Sequence, residues 1–130
     1  GQYLLRRLGE LQDRHNLITD VRGRGLLVGL EFAKPKGFMN KITKGAVSKL
    51  SEEYLGAMVA GDLLNRHQII TAYTLNNPNV IRLEPPLIVT KEQIDQVIEA
   101  LNETFTRNRS HIQMVMTSTK TVVGSLFGKK

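Results

Sequence analysis

The residues best suited to chemistry on a small molecule stand in the run Asn79-Val-Ile-Arg-Leu-Glu-Pro-Pro-Leu87. Its β-branched and aliphatic side chains alternate with Arg82 and Glu84, the period of a half-buried strand. Side chains two apart share a strand face, so Ile81 and Leu83 point one way and Val80, Arg82 and Glu84 the other. The guanidinium therefore stands on a surface the core does not claim. Pro85 and Pro86 remove two backbone donors and end the pairing, which leaves Arg82 beside a rigid strand exit. A planar guanidinium in that setting can grip a carboxylate with two parallel charge-assisted hydrogen bonds. The plainer alternative is an exposed Arg82–Glu84 pair contributing about 0–1 kcal/mol, and spacing by itself leaves both open.

Other chemistries find less support. Gly23, Gly25 and Gly29 are spaced G-x-G-x-x-x-G, whereas a dinucleotide fingerprint needs its third glycine at position 28, which is Val28. A bend or bulge entering a strand, with Gly29 admitting close approach of another segment, accounts for them. Cysteine is absent, which excludes disulfides and thiolate metal sites and fits a reducing cytoplasm. The histidines are isolated, without a His-x-x-x-His pair, so a zinc site is poorly supported. His67 reads as a cation complementing a helix end, and Asn76 and Asn77 as turn residues. The lysines at 34, 36, 41, 44 and 49 read as a solvated surface rather than an anion site.

The net charge of +6 raises nucleic acid as a partner, so its location matters. Residues 107–130 hold Arg107, Arg109, Lys120, Lys129 and Lys130 with no acid, so +5 of it lies there and the body carries +1. Aromatic stacking partners are scarce in that stretch, and a terminus that is mobile or docked on a partner is preferred over a nucleic-acid arm. A free-standing binding module using this basic stretch on nucleic acid or anionic lipid remains the alternative from another functional class, and a dimerisation module a third. The 130 residues suffice for one domain. No run of 18 apolar residues and no charged-then-apolar leader is present, so neither a membrane span nor a secretory signal is expected.

The elements that must position Arg82 follow from periodicity. Tyr3, Leu4, Leu8 and Leu11 predict an amphipathic helix that lacks a capping side chain at Gly1-Gln2, as expected of a chain cut from something longer, and that stops at Asn16. Leu26, Val28, Leu30 and Phe32 share one face of a strand. Ala33 to Leu50 reads as a surface excursion, and Ser51 as the cap of a helix carrying Leu55, Met58, Val59, Leu63 and Leu64 and ending near His67. Gly56, Ala57, Ala60 and Gly61 keep one face of that helix thin. Ile69 to Thr74 pairs with the arginine strand as a hairpin across Leu75-Asn76-Asn77-Pro78. Thr90 and Gln93 form a capping box ahead of Ile94, Val97, Ile98, Leu101 and Phe105, which cover the sheet face bearing Ile81 and Leu83. The expected fold is α+β, a small antiparallel or mixed sheet with helices on one face and a polar face left uncovered.

The run Val21-Arg-Gly-Arg-Gly-Leu-Leu-Val-Gly-Leu-Glu-Phe32, followed by Val80-Ile-Arg-Leu-Glu-Pro-Pro-Leu87 and a closing amphipathic helix, resembles the C-terminal small domain of class III pyridoxal-phosphate-dependent aminotransferases. The resemblance covers residues 1–106 and leaves 107–130 as a basic tail. Tyr73-Thr-Leu-Asn-Asn-Pro78 is similar to the putrescine aminotransferase branch more than to the acetylornithine one. The resemblance implies a fold-type I enzyme, a homodimer in the cytoplasm, moving an amino group from a diamine or ω-amino donor to a 2-oxo acid such as 2-oxoglutarate. It implies that Arg82 binds the substrate carboxylate. It also implies that the Schiff-base lysine and the pyridoxal phosphate site lie in a large domain upstream, so this chain holds no catalytic residue and is expected to be inactive alone.

Overall fold

Alternation in Val28, Leu30 and Phe32, all buried, sets the inner face of the sheet, and every helix packs on that side. The computed structural model describes residues 1–33, 46–73 and 76–109, without the side chains of 46–54 and 73. In order the elements are α1 (Gln2–Arg14), β1 (Ile18–Arg24), β2 (Leu27–Phe32), α2 (Ala46–His67), β3 (Ala72–Tyr73), β4 (Val80–Leu83) and α3 (Lys91–Arg107). The sheet is antiparallel throughout, in the order β1-β2-β4-β3. This is the expected α+β layer, and β3 pairs with β4 as expected, although the strand is confined to Ala72–Tyr73 and residues 69–71 of the expected one lie outside it.

The segment before β2 differs from the expected bend. It is a strand of its own, joined to β2 by a two-residue turn in which Gly25 takes φ +56°. A glycine at the first central position supplies the positive φ that a hairpin turn of this kind needs. The irregularity lies at the far end of β1, where the register shifts between Ile18 and Asp20. That bulge lets Ile18 and Val21, three residues apart, both face the core.

Two helix boundaries also differ. α1 closes at His15, extended at φ −127°, whose N–H donates to the carbonyls of Leu11 (3.1 Å) and Gln12 (3.3 Å). Asn16 therefore provides no left-handed stop. α2 begins at Ala46, so Ser51 lies inside the helix and Ala46–Leu50 are not excursion. Val47 and Leu50 extend the apolar spacing toward the N-terminus, and an interior serine costs only about half a kcal/mol relative to alanine. The remainder of the expected excursion, residues 34–45, lies outside the described residues, as does the stretch from Ser110 onward.

α3 carries its capping box as expected: Gln93 N–H donates to Thr90 Oγ1 (3.3 Å), and the Thr90 N–H donates to Gln93 Oε1 (3.0 Å). Its apolar stripe packs chiefly on α1 and α2 and reaches the sheet where Phe105 meets Phe32 edge-on at 6.0 Å. Polar contacts tie the same helices. Tyr3 Oη donates to both carboxylate oxygens of Asp95 (2.8 and 2.9 Å), which also pairs with Arg7. Asp62 accepts from Thr104 Oγ1 (3.0 Å) and pairs with Arg66 and Arg107.

Candidate functional site

The outer sheet face is built by register. Arg22 of β1 pairs with Gly29 of β2, Gly29 with Arg82 of β4, and Arg82 with Ala72 of β3, so one row crosses all four strands. Arg82 thus stands between a residue with no side chain and one with a single methyl. Its side chain is 45% exposed, away from the helices, and its Nη1 lies 3.3 Å from Glu84 Oε1 at 46% exposure. An exposed pair of this kind contributes at most about 1 kcal/mol, so a ligand carboxylate can displace Glu84 at little cost. Each charge-assisted hydrogen bond it gains in return contributes about 1.5–3 kcal/mol.

The approach to Arg82 is an open hollow of about 330 Å³, walled by Arg22, Arg24, Leu27 and Val80 above Gly29. A Cβ added at Gly29 would meet Val80 Cγ1 at 3.5 Å, an ordinary contact. Space rather than close approach of another segment of the described chain distinguishes this glycine. Arg22 is already engaged by Asp20 and by Glu31 Oε2 (2.6 Å), and these hydrogen bonds, Asp20's foremost, raise its pKa above the usual arginine value.

Asn79 fixes where β4 begins, a role its polar type conceals. It is fully buried, donates from Nδ2 to the Phe32 carbonyl (2.8 Å), and its own carbonyl accepts from the Phe32 N–H (3.0 Å). Both bonds clamp the end of β2 to the start of β4 and so hold Arg82 opposite Gly29. Asn77 supports the same corner: its Oδ1 accepts from the Asn79 N–H (3.2 Å), and its Nδ2 donates to Glu31 Oε1 (3.3 Å). On the other side α2 lies so close that a Cβ at Gly56 would overlap the Pro78 carbonyl oxygen.

The remaining expected site features do not converge here. His67 ends α2, with Nε2 3.9 Å from Glu103 Oε2 and no hydrogen-bond partner among the described residues. It lines a larger groove of about 870 Å³ with Gln68, Thr90, Gln93 and Gln96, remote from the arginine row. Arg107 belongs to α3 and pairs with Asp62 and Glu103. Among the described residues no His, Asp and Glu side chains group as metal ligands, and no helix is long and apolar enough to cross a membrane.

Pyridoxal phosphate requires a lysine amine for its imine. Among the described side chains the one lysine is Lys91, whose Nζ lies 5.4 Å from the Tyr3 ring centroid and does not line the Arg82 hollow. The described residues therefore do not fit that cofactor, and no step here passes through it.

Residues 1–105 match the family described as aminotransferase class-III. An acetylornithine aminotransferase of Methanocaldococcus jannaschii is 34% identical over 106 residues, covering 82% of this chain and 21% of that protein. An alanine/serine racemase of Pyrococcus horikoshii is 33% identical over 110 residues, covering 82% of this chain and 20% of that protein. Among solved structures, a transaminase with L-ala superposes with a TM-score of 0.66 at 30% identity, over 86% of this chain and 24% of that one. The chain thus spans about a fifth of the length of the curated relatives it matches.

Proposed function

The chain belongs to the class-III aminotransferase family, and we propose that it is the carboxylate-holding part of such an enzyme. Residues 1–106 are its C-terminal small domain and residues 107–130 a basic extension. In this reading the complete protein carries an amino group from a diamine or ω-amino donor, on the putrescine aminotransferase-like branch, to a 2-oxo acid such as 2-oxoglutarate. It works as a homodimer in the cytoplasm. Pyridoxal phosphate, held by residues outside this chain, supplies the electron sink.

The observation that carries the reading is Arg82 displayed beside Gly29 on a sheet face that the described residues leave open, its one ion-pair partner among them the exposed Glu84. Leu87 and Ile88, 91% and 89% exposed directly after Pro86, fit a surface that further polypeptide covers. The role of this chain is to bind and orient the acceptor acid by its carboxylate.

The test uses the complete enzyme. Arg82→Ala should raise the KM for the 2-oxo acid about ten- to a hundredfold, the range of one lost charge-assisted hydrogen bond. A diamine has no carboxylate to lose, so its KM should barely move. Equal rises for both substrates would refute the assignment. The likeness to an alanine/serine racemase favours a second reading, in which the complete protein inverts one amino acid and needs no acceptor. Turnover of a single enantiomer without any 2-oxo acid would select it.

A further inference from the structure

The two edges of the sheet are guarded differently. β1, at one edge, carries Asp20, Arg22 and Arg24 and a bulge, devices that keep an exposed edge from pairing with other backbone. β3, at the other edge, has none of them over residues 69–73, which read Ile-Ile-Thr-Ala-Tyr. Shortness is its one protection, since β4 pairs only with Ala72 and Tyr73.

The residues leading into β3 are held in place yet incompletely satisfied. The Ile69 N–H donates to the Leu63 carbonyl at 3.0 Å, which fixes the chain as it reaches the edge. Thr71 Oγ1 is buried without a hydrogen-bond partner among the described residues, and a hydroxyl left so destabilises the fold until something bonds it. Ile70 is large, apolar and almost fully exposed, and with Glu84 and Pro85 it lines a hollow of about 190 Å³ at the end of β4.

We propose that β3 takes a fifth strand along residues 70–73, supplied by the part of the complete polypeptide outside this chain. Length for it is available: about four fifths of the acetylornithine aminotransferase and of the alanine/serine racemase lies outside the part this chain matches. The edge sets the kind of segment, extended and uncharged with an apolar side chain beside Ile70, because main-chain bonds give the affinity and alternate side chains the fit. In the row Arg22, Gly29, Arg82, Ala72 the new strand stands next to Ala72, about 10 Å from Arg82 over two strand spacings. It closes the flank of the arginine face on that side, whatever Arg82 binds.

Amide hydrogen exchange, resolved by residue, compares this chain with the complete protein. In this chain the amides of residues 70–73 that face away from β4 should exchange as freely as those of an exposed loop. In the complete protein the same amides should slow about a hundredfold or more, together with alternate amides of the added strand. Ile70→Lys puts a charge on the edge, so it should leave the Tm of this chain unchanged and remove the protection in the complete protein. Thr71→Val removes the unbonded hydroxyl and should raise the Tm of this chain but not of the complete protein. Free exchange in both, slowing below about tenfold, or an equal rise from Thr71→Val in both would overturn the fifth strand. Protection that appears in this chain alone and grows with its concentration would put a second copy on the edge and overturn the proposed source.

Discussion

Alanine at Gly56 and at Gly61, one at a time, separates two reasons for a glycine in the same helix. Both lie in α2, on the face that sequence marks as thin. At Gly56 an added Cβ would overlap the Pro78 carbonyl oxygen, with the Pro78 carbonyl carbon at 3.3 Å and the Asn79 Cα at 3.9 Å. These are backbone atoms, so relief requires the helix or the link to move. Overpacking of this kind costs about 1–3 kcal/mol, and backbone on both sides puts Gly56→Ala at the upper end. Alanine's better helix propensity returns about 1 kcal/mol, leaving a net loss of about 2 kcal/mol. At Gly61 nothing lies within 4 Å, so Gly61→Ala keeps only the propensity gain of about 1 kcal/mol. Urea unfolding of this chain, followed by far-ultraviolet circular dichroism, reads the difference. With m of about 1–3 kcal/mol/M, the Gly56→Ala midpoint should fall by about 1 M at unchanged m while the Gly61→Ala midpoint rises. A Gly56→Ala chain as stable as Gly61→Ala would show that α2 does not press on the 78–79 link.

Gln68 follows α2 with φ +57°, its N–H donating to the Leu64 carbonyl at 3.2 Å. Gln68→Gly should raise stability by about 0.5–1 kcal/mol in thermal melts, because relief of the left-handed strain exceeds glycine's entropy cost. Thr90→Ala removes the oxygen that accepts from Gln93 and should cost about 1 kcal/mol in the same measurement. The Glu92 carboxylate at that cap titrates below its ordinary value, through a backbone hydrogen bond at its own residue and then the Thr90 side chain. A lowered folded pKa gives stability that is present above the ordinary glutamate range and lost as pH falls through the folded value. An NMR titration should therefore find Glu92 higher in Thr90→Ala, and the stability gap between the two chains should narrow on acidification.

What could be read from sequence was what a local period encodes. The outward face of Arg82 follows from strict alternation on either side of it, and the start of α3 from Thr90 and Gln93 three residues apart. β1 was hidden because its bulge sets Ile18 and Val21 three residues apart, a spacing that belongs to neither a plain strand nor a helix face. Gln68 was hidden because glutamine carries no preference for positive φ, although it closes α2 with its N–H on the Leu64 carbonyl and the Ile69 N–H on the Leu63 carbonyl. Gly56 and Gly61 look alike in sequence, and only the position of the 78–79 link tells them apart. Asn79 reads only as the first residue of the arginine strand, and its burial and two bonds to Phe32, which make it the clamp of the sheet, depend on contacts that no local pattern encodes.

These non-local constraints act in series on the site. The bare Cα of Gly56 lets α2 press the link, the link delivers Asn79 to the end of β2, and the bonds to Phe32 set the pairing that puts Arg82 opposite Gly29. A one-residue slip would turn every β4 side chain to the other face, sending Arg82 toward the helices and Ile81 outward. Burying a guanidinium without a partner costs several kcal/mol, so such a slip cannot persist as a mild distortion. The corner around Asn79 therefore holds Arg82 in an all-or-none way. Damage there should appear as loss of the folded state, and changes confined to Arg24, Gly29 or Glu84 as altered recognition in an intact fold.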